Sequence, residues 1–437
     1  MMSEQQLVGQ EAFQALLWNY YGQIGTDDAL HKVRAKAWDH FLELGLPTRQ
    51  TEVFKYVRLR SLYAQNYVPP VFKEIAAKDI EAHILPECSQ SVLVFVNGHF
   101  SPSLSRTEAI PRRASATTLA EAMRTYSSFL TGQWTKALKE ETDPFAAANL
   151  ALQREGLFIY VPPRTVIEAP VQLLNVIDTE SSPMLLMPRM QAFIGAQSQM
   201  TVVSTQAVLS GAGYAVNMVA DVSIEDDAHF KYIQIASEEG PDIWHFDAFR
   251  ATLKRDSTLK TIAVTDGAAT VRYDNRVILT GENAEASVNG VWMLKEKREA
   301  HVHVLVDHQA PHCRSMQLYK GALNDFSHSS FEGKILVRQA AQKTDAFQLN
   351  NNLLLSDRAH ADSKPNLEIF ADDVKASHGS TVGQLDQEQI FYMKTRGFSE
   401  AAAKNILVYG YCKEVIDLIP IASVHETMRA RAEHFLM

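Results

Sequence analysis

The chain has 437 residues, 46% of them hydrophobic and 21% charged, the proportions of a globular protein with a large core. A formal net charge of -9, with no long Lys/Arg run to reverse it locally, excludes nucleic acid as the main partner, because phosphate binding needs a basic surface. Cys88, Cys313 and Cys412 are far apart and form no CxxC pair, which excludes a zinc ribbon or a thioredoxin-type site and fits a reducing cytosol.

The opening stretch, MMSEQQLVGQEAF, carries acids and no apolar segment, so no secretory signal is expected. The longest apolar runs, such as 92–96 and 353–355, are too short to span a bilayer. The first sixty residues read as helical. Thr26 is placed to cap DDALHKVRAKAWDHFLELG, with Asp27 and Asp28 in the first turn, where the helix dipole favours negative charge. Leu30, Val33, Ala37, Phe41 and Leu44 keep helical spacing, and Gly45 and Pro47 end the run. A loop and a short helix follow in LPTRQTEVFKYVRLRSL.

From about Ser91 the period changes. SVLVFVNGHF and GLFIYVPPRTVIEAPVQLLNVID are strand-like, separated by a helical segment from Ser115 to Gln153. Beyond Gln191 strand-like runs recur: MTVVSTQAVL, VNMVADVSI, FKYIQIAS, LKTIAVT, VRYDNRVILT, VWML, HVHVLVDH, KILVRQ and LEIFA. Punctuation is expected at Gly267, Gly281, Gly290, Asn324, Gly333 and Asp362. A sandwich of this length would be large, and a propeller would show a blade repeat. A β-helix tolerates a weak repeat, since each coil buries its inward residues against its neighbours, and Asn350, Asn351 and Asn352 are placed to begin a side-chain ladder. The reading is therefore a mainly β chain with a parallel β-helix body. From Asp386 the helical period returns: Ser399 caps SEAAAKNILVYGYCKEVIDLI, Pro420 stops it, and SVHETMRARAEHFL follows. The expected divisions are an N-terminal helical region (1–90), a mixed lead-in (91–190), the β-helix core (191–385) and a C-terminal helical region (386–437).

Residues with chemical potential are sparse. HVHVLVDHQAPHC, 301–313, is the densest set of ligand types, and His308, His312 and Cys313 suffice in number for one ion. His301 and His303, however, alternate with valines, which puts them on the outer face of a strand. The whole set reads as solvated strand and turn residues. The acid pairs Asp226/Asp227 and Asp372/Asp373 suggest a β-helical carbohydrate-active lyase or hydrolase. Adjacent strand residues point to opposite faces, though, so neither pair makes a site unaided. No P-loop and no G-x-S-x-G elbow is present. His378, among Ser377, Gly379, Ser380 and Thr381, is open to three readings: metal ligand, general base or turn residue. By its residues alone it reads as a turn histidine near an edge that must be covered.

From His312 onward, HCRSMQLYKGAL, FEGKILV, KTDAFQLNNNLLLS and KPNLEIFADDVKASHGSTVGQLDQEQIFYMKTRGFS resemble the SufB/SufD family, and within it the SufD branch. LPTRQTEVFKY resembles a family segment near the N-terminus, with Phe54 where Trp is usual. The family members are scaffold components of the Suf iron–sulfur cluster assembly system. The resemblance implies a right-handed parallel β-helix flanked by helical regions. It also implies a cytosolic, non-catalytic subunit that pairs with SufB through the β-helix end. The ATPase SufC would dock on the C-terminal helical region, where Phe391, Tyr392, Arg396, Gly397 and Phe398 supply anchor residue types. His378 matches the family histidine associated with cluster assembly at the shared interface, so a transient iron–sulfur cluster is expected there and none on the isolated chain, for which a homodimer is an open alternative. Ala376 departs from the family: relatives often carry Cys there, so thiolate ligands would have to come from SufB. A pure adaptor, with His378 only structural, is the remaining reading.

Overall fold

The computed structural model describes residues 4–25, 29–179, 182–211, 213–240 and 242–436. Helices α1 (Glu4–Gly22) and α2 (His31–Leu44) open the chain. The α2 stripe of Val33, Ala37, Trp38 and Phe41 is buried, and Gly45, at φ 68, takes the left-handed turn that ends the helix. The expected cap at Thr26 and the acids Asp27 and Asp28 lie outside the described residues. The described helix starts at His31 without a side-chain cap. Short helices α3 (Leu59–Tyr63) and α4 (Ala77–Ile80) lead to strands β1 (Val92–Val96), β2 (His99–Arg106) and β3 (Ser115–Thr118). The stretch read as one helical segment from Ser115 is that strand plus two helices, α5 (Leu119–Glu140) and α6 (Pro144–Leu152). Each helix has its own start signal. Thr118 and Glu121 form a capping box, and Asp143 caps α6 ahead of Pro144.

The β body then winds through β4 (Leu157–Val161), β5 (Val171–Asp178), β6 (Met184–Leu186), β7 (Arg189–Ile194), β8 (Gln199–Ser210) and β9 (Tyr214–Ile224). It continues through β10 (His229–Ala236), β11 (Ile243–Leu253), β12 (Thr258–Thr265), β13 (Thr270–Leu279), β14 (Glu285–Leu294) and β15 (Glu299–His308). It closes with β16 (Arg314–Leu323), β17 (His328–Val337), β18 (Asp345–Leu354), β19 (His360–Ile369) and β20 (Lys375–Gln384). Among the described residues these strands form two ten-stranded sheets. Sheet I runs β2-β1-β5-β8-β10-β12-β14-β16-β18-β20, and sheet II runs β19-β17-β15-β13-β11-β9-β7-β4-β3 with β6 beside β9. From β4 and β5 onward the strands pair in parallel along the solenoid, and from β7 onward successive strands alternate between sheets. The result is a β-solenoid of about eight turns. The antiparallel pairs β1–β2 and β3–β4 close its first end.

The coil repeat is written in the backbone of one turn. Gln197, Asp227, Asp256, Asn283, His312 and Lys343 all have φ between 53 and 64, and they recur roughly every thirty residues, a solenoid period. Each donates its amide to the carbonyl of the next coil, for example Asp227 to Arg255, Asn283 to Pro311 and His312 to Gln342. Two positions expected as punctuation are instead mid-strand. A Cβ on Gly290 would lie 2.6 Å from the Tyr319 ring, and one on Gly333 would lie 2.3 Å from Gln348 Nε2. These glycines make room inside the solenoid for large neighbours. Asp362 is also mid-strand, in β19. The interior is otherwise packed by inward residues such as Val302, Val304 and Val306, with Trp292, Tyr319 and Phe331 filling the width.

The helices cover the outer faces. On sheet II, α6 and the segment around Phe54 bury Phe145 against Phe246, with ring centroids 4.9 Å apart. A buried ion network sits beside them: Arg272 bonds Asp143 and Asp274 at 2.6 Å each, and Arg250 bonds Glu141 at 2.8 Å and Asp274 at 2.9 Å. On sheet I lie α8 (Glu400–Ile416) and α9 (Ala422–Glu433), preceded by α7 (Gln387–Thr395). Val408, Cys412, Val415 and Ile416 pack on Ile262, Val264, Val291 and Met293. Among the described residues no helix is long and apolar enough to cross a membrane.

Candidate functional site at the open end of the solenoid

Among the described residues the second end of the solenoid has no closing hairpin. β19 and β20 are the last strands of their sheets, each paired on one side only. A free parallel edge presents unpaired N–H and C=O groups that favour pairing with another chain. Burial changes abruptly here. β17 is almost wholly buried, whereas every residue of β19 and β20 is half-buried or exposed. Ile369, Phe370 and Val382 stand out in solvent at this end.

His378 lies in the middle of β20. Its expected place in a turn is corrected: Lys375–Gln384 is a ten-residue strand in register with β18. The strand reads as a turn in the sequence because its inward positions, Ala376, His378, Ser380 and Val382, have no following coil to bury. Apolar alternation is therefore lost. His378 ends a column that crosses the sheet through Gln317 and Gln348. One coil back from Gln317 the same column holds Val288, so the interior turns from apolar to polar as it nears the open end. Gln348 Nε2 donates to Gln317 Oε1 at 2.9 Å, and Asn352 Nδ2 donates to Asn350 Oδ1 at 2.9 Å. Gln348 Oε1 and Gln317 Nε2 are buried without a partner among the described residues. The expected asparagine ladder is thus only partial. Asn350 and Asn352 share the interior, while Asn351 points the other way and accepts from Thr381 Oγ1 at 2.8 Å. The sequence signal of this glutamine column, not among the expectations above, is Gln317, Gln348 and His378 at the coil spacing.

Beside this end, Asp386 caps α7 by accepting from Glu388 N at 2.8 Å. Among the described residues of α7 only Ile390 is buried, while Phe391 and Tyr392 are 68% and 58% exposed. Arg396 stacks 5.1 Å over the Tyr392 ring and donates to its hydroxyl at 3.0 Å. Gly397, at φ 92, turns the chain, exposed Phe398 follows, and Ser399 caps α8 through Ala402 N at 3.2 Å. Phe391, Tyr392, Arg396, Gly397 and Phe398 are all exposed, and of these Arg396 and Tyr392 are in direct contact. His378 stands on β20, which leads directly into α7.

The other sequence candidates separate. His301 and His303 do face outward, but they are not solvated: His301 is buried and His303 half-buried beneath Val53, Tyr56 and Val57. Burial lowers the His301 pKa against the pull of Glu299, whose Oε2 lies 3.1 Å from Nε2. His308 is fully buried, its Nε2 is 2.8 Å from Ser315 Oγ, and burial lowers its pKa to about 4. His312 is exposed, with Nε2 3.9 Å from Glu282. Cys313 is buried and directed at the Gly281 carbonyl, 3.2 Å away, so His308, His312 and Cys313 do not converge on one ion. Burial raises the Cys313 thiol pKa and pushes those of Cys88 and Cys412 up to about 12, which keeps all three protonated and poor metal ligands. Asp226 accepts from Arg255 N at 3.1 Å, Asp227 is one of the left-handed turn residues, and Asp373 pairs with Lys343. The carboxylates of Asp226 and Asp373, and the backbone amide of Asp227, tie coils together.

Two family models match the chain. Residues 176–411 match the SufBD core domain of the SUF system for FeS cluster assembly, and residues 21–173 match the SufBD protein N-terminal region. An iron–sulfur cluster assembly SufBD family protein of Synechocystis sp. is 29% identical over 417 residues, covering 93% of this chain and 91% of that protein. The iron–sulfur cluster assembly protein SufD of Escherichia coli is 29% identical over 406 residues, 89% of each chain. SufD of Bacillus subtilis is 25% identical over 315 residues, 71% of each.

Proposed function

The chain belongs to the SufBD family of iron–sulfur cluster assembly proteins, and on that premise we propose that it is a scaffold subunit with no catalysis of its own. Its open solenoid end pairs with SufB, and its C-terminal helical region docks the ATPase SufC in a cytosolic complex. The observation that carries this reading is the terminal coil, where two ten-residue strands each leave one edge unpaired and expose Ile369, Phe370 and Val382. An uncovered edge of that length is a liability in a lone protein and a template in a complex.

The cluster is cargo in this reading. Neutral imidazole is a competent iron ligand, and His378 is exposed at the edge that the partner covers. Ala376, on the same face two residues earlier, offers no thiolate, and the chain's own cysteines are buried and protonated. Thiolate ligation then falls to SufB. Of the acids that suggest a carbohydrate-active enzyme, Asp226 and Asp373 are each engaged between coils, which splits both pairs.

Amide hydrogen exchange of the chain, alone and with SufB, tests the pairing. Slowed exchange concentrated in 375–384, with a smaller effect in 360–369, is expected. Unchanged exchange in both strands when SufB is bound would overturn it.

A further inference from the structure

We propose that His328, His360 and Asp362 form a binding site for one divalent first-row transition metal ion on the outer face of sheet II. The site is separate from the inward-facing His378 and does not depend on the reading above. Strand register builds it. His328 in β17 pairs with His360 in β19, and Asp362 lies two residues on from His360, on the same face. His328 Nε2 is 2.8 Å and His360 Nε2 is 3.4 Å from Asp362 Oδ2, and the three ligand atoms all lie within 4.8 Å of one another. A tetrahedral ion bound at about 2.0–2.2 Å holds its ligand atoms roughly 3.3–3.6 Å apart, so only small side-chain shifts separate these groups from a coordination shell.

The surroundings favour an ion over a plain hydrogen-bonded cluster. The imidazoles of His328 and His360 have centroids 5.3 Å apart with planes at 34°. His328 is largely buried, so its ring is held in place with Nε2 turned toward Asp362. Behind it, His301 is satisfied on both sides, by Ser330 Oγ at 2.7 Å and Glu299 Oε2 at 3.1 Å, while Arg58 Nε holds Glu299 Oε1 at 2.7 Å. That inner pair forms a fixed wall. His301 packs edge-on to His328, 5.4 Å between centroids. His360 is 68% exposed, which leaves an entry path and room for water in the remaining positions. Two imidazoles and one carboxylate without a thiolate suit Zn²⁺, Co²⁺, Ni²⁺ or Fe²⁺ and not Ca²⁺ or Mg²⁺, which take all-oxygen shells.

The test uses the untagged full-length chain, stripped of metal and titrated with Co²⁺, then Zn²⁺. One equivalent of Co²⁺ should give visible d–d absorption without a thiolate charge-transfer band, and Zn²⁺ should bleach it. H360A and D362N change partly exposed side chains and spare the core. Each should weaken binding by more than about tenfold, because loss of a ligand exceeds the 10–100-fold effect of losing a group that only orients one. H312A, which changes an exposed histidine on another turn, should bind as the unaltered chain does. No absorption at stoichiometric Co²⁺, unchanged binding in H360A and D362N, or an equal loss in H312A would each overturn the site.

Discussion

His308 and His378 show how one residue type takes opposite roles according to what lies around it. His308 is enclosed, and burial lowers its pKa to about 4. The unfolded chain gains a proton near pH 6.5 that the native state cannot accept until about pH 4. Its contribution is therefore complete above pH 6.5 and lost as the pH falls through that window, about 2 kcal/mol by pH 5. In urea unfolding, H308Q should lose correspondingly less stability than the unaltered chain between pH 7 and pH 5, and parallel losses would contradict the assignment. In sequence His301 stands beside Val302 and His308 between Asp307 and Gln309, and both read as solvated. What separates them from that reading is non-local: Ser315 and the closed coil enclose His308, and the segment 53–57 covers His301. Alternation shows which face a residue takes but not whether another element lies on that face.

At the scale of elements, α7 is the exception among the helices. α8 and α9 bury an apolar stripe on sheet I and are fastened by Lys320–Glu414 at 2.5 Å and Arg431–Asp266 at 2.6 Å. Removing the whole C-terminal region would therefore bare Val291, Met293 and Leu318, so point changes test docking more cleanly than truncation. F391A and F398A alter exposed rings and should leave the fold intact. Each should weaken SufC binding by about 1–2 kcal/mol, the range of an aromatic anchor, read by calorimetry. Unchanged affinity in the double variant would place the docking surface elsewhere. The C-terminal helices were legible because their caps are local: Ser399 and Asp386 bond amides two or three residues away. Strands β11, β16, β18 and β20 were not. The inward sides of β16, β18 and β20 carry Gln317, Gln348, Asn350 and His378, and these polar groups erase the two-residue alternation there.

The whole molecule is a solenoid closed at one end by antiparallel pairs and open at the other. The β-helix was legible from many short strands and small turn residues, but its repeat was not. The repeat resides in left-handed turn positions occupied by Gln, Asp, Asn, His and Lys, which share a backbone conformation and no side-chain signature. The open end follows from that plan: a polar interior column rises through Gln317 and Gln348 to His378, at an edge with no further coil of this chain to pair with. The most direct measurement is the iron and sulfide content of the purified complex with SufB and SufC, carrying His378 or H378A, alongside its elution in size-exclusion chromatography. An edge held by many main-chain hydrogen bonds, each contributing about 0.5–1.5 kcal/mol, survives loss of one side chain. The H378A complex should therefore elute intact with a reduced iron and sulfide content. An intact complex with full cluster content would contradict a role for His378 at a shared cluster site, and loss of the complex itself would make the residue structural.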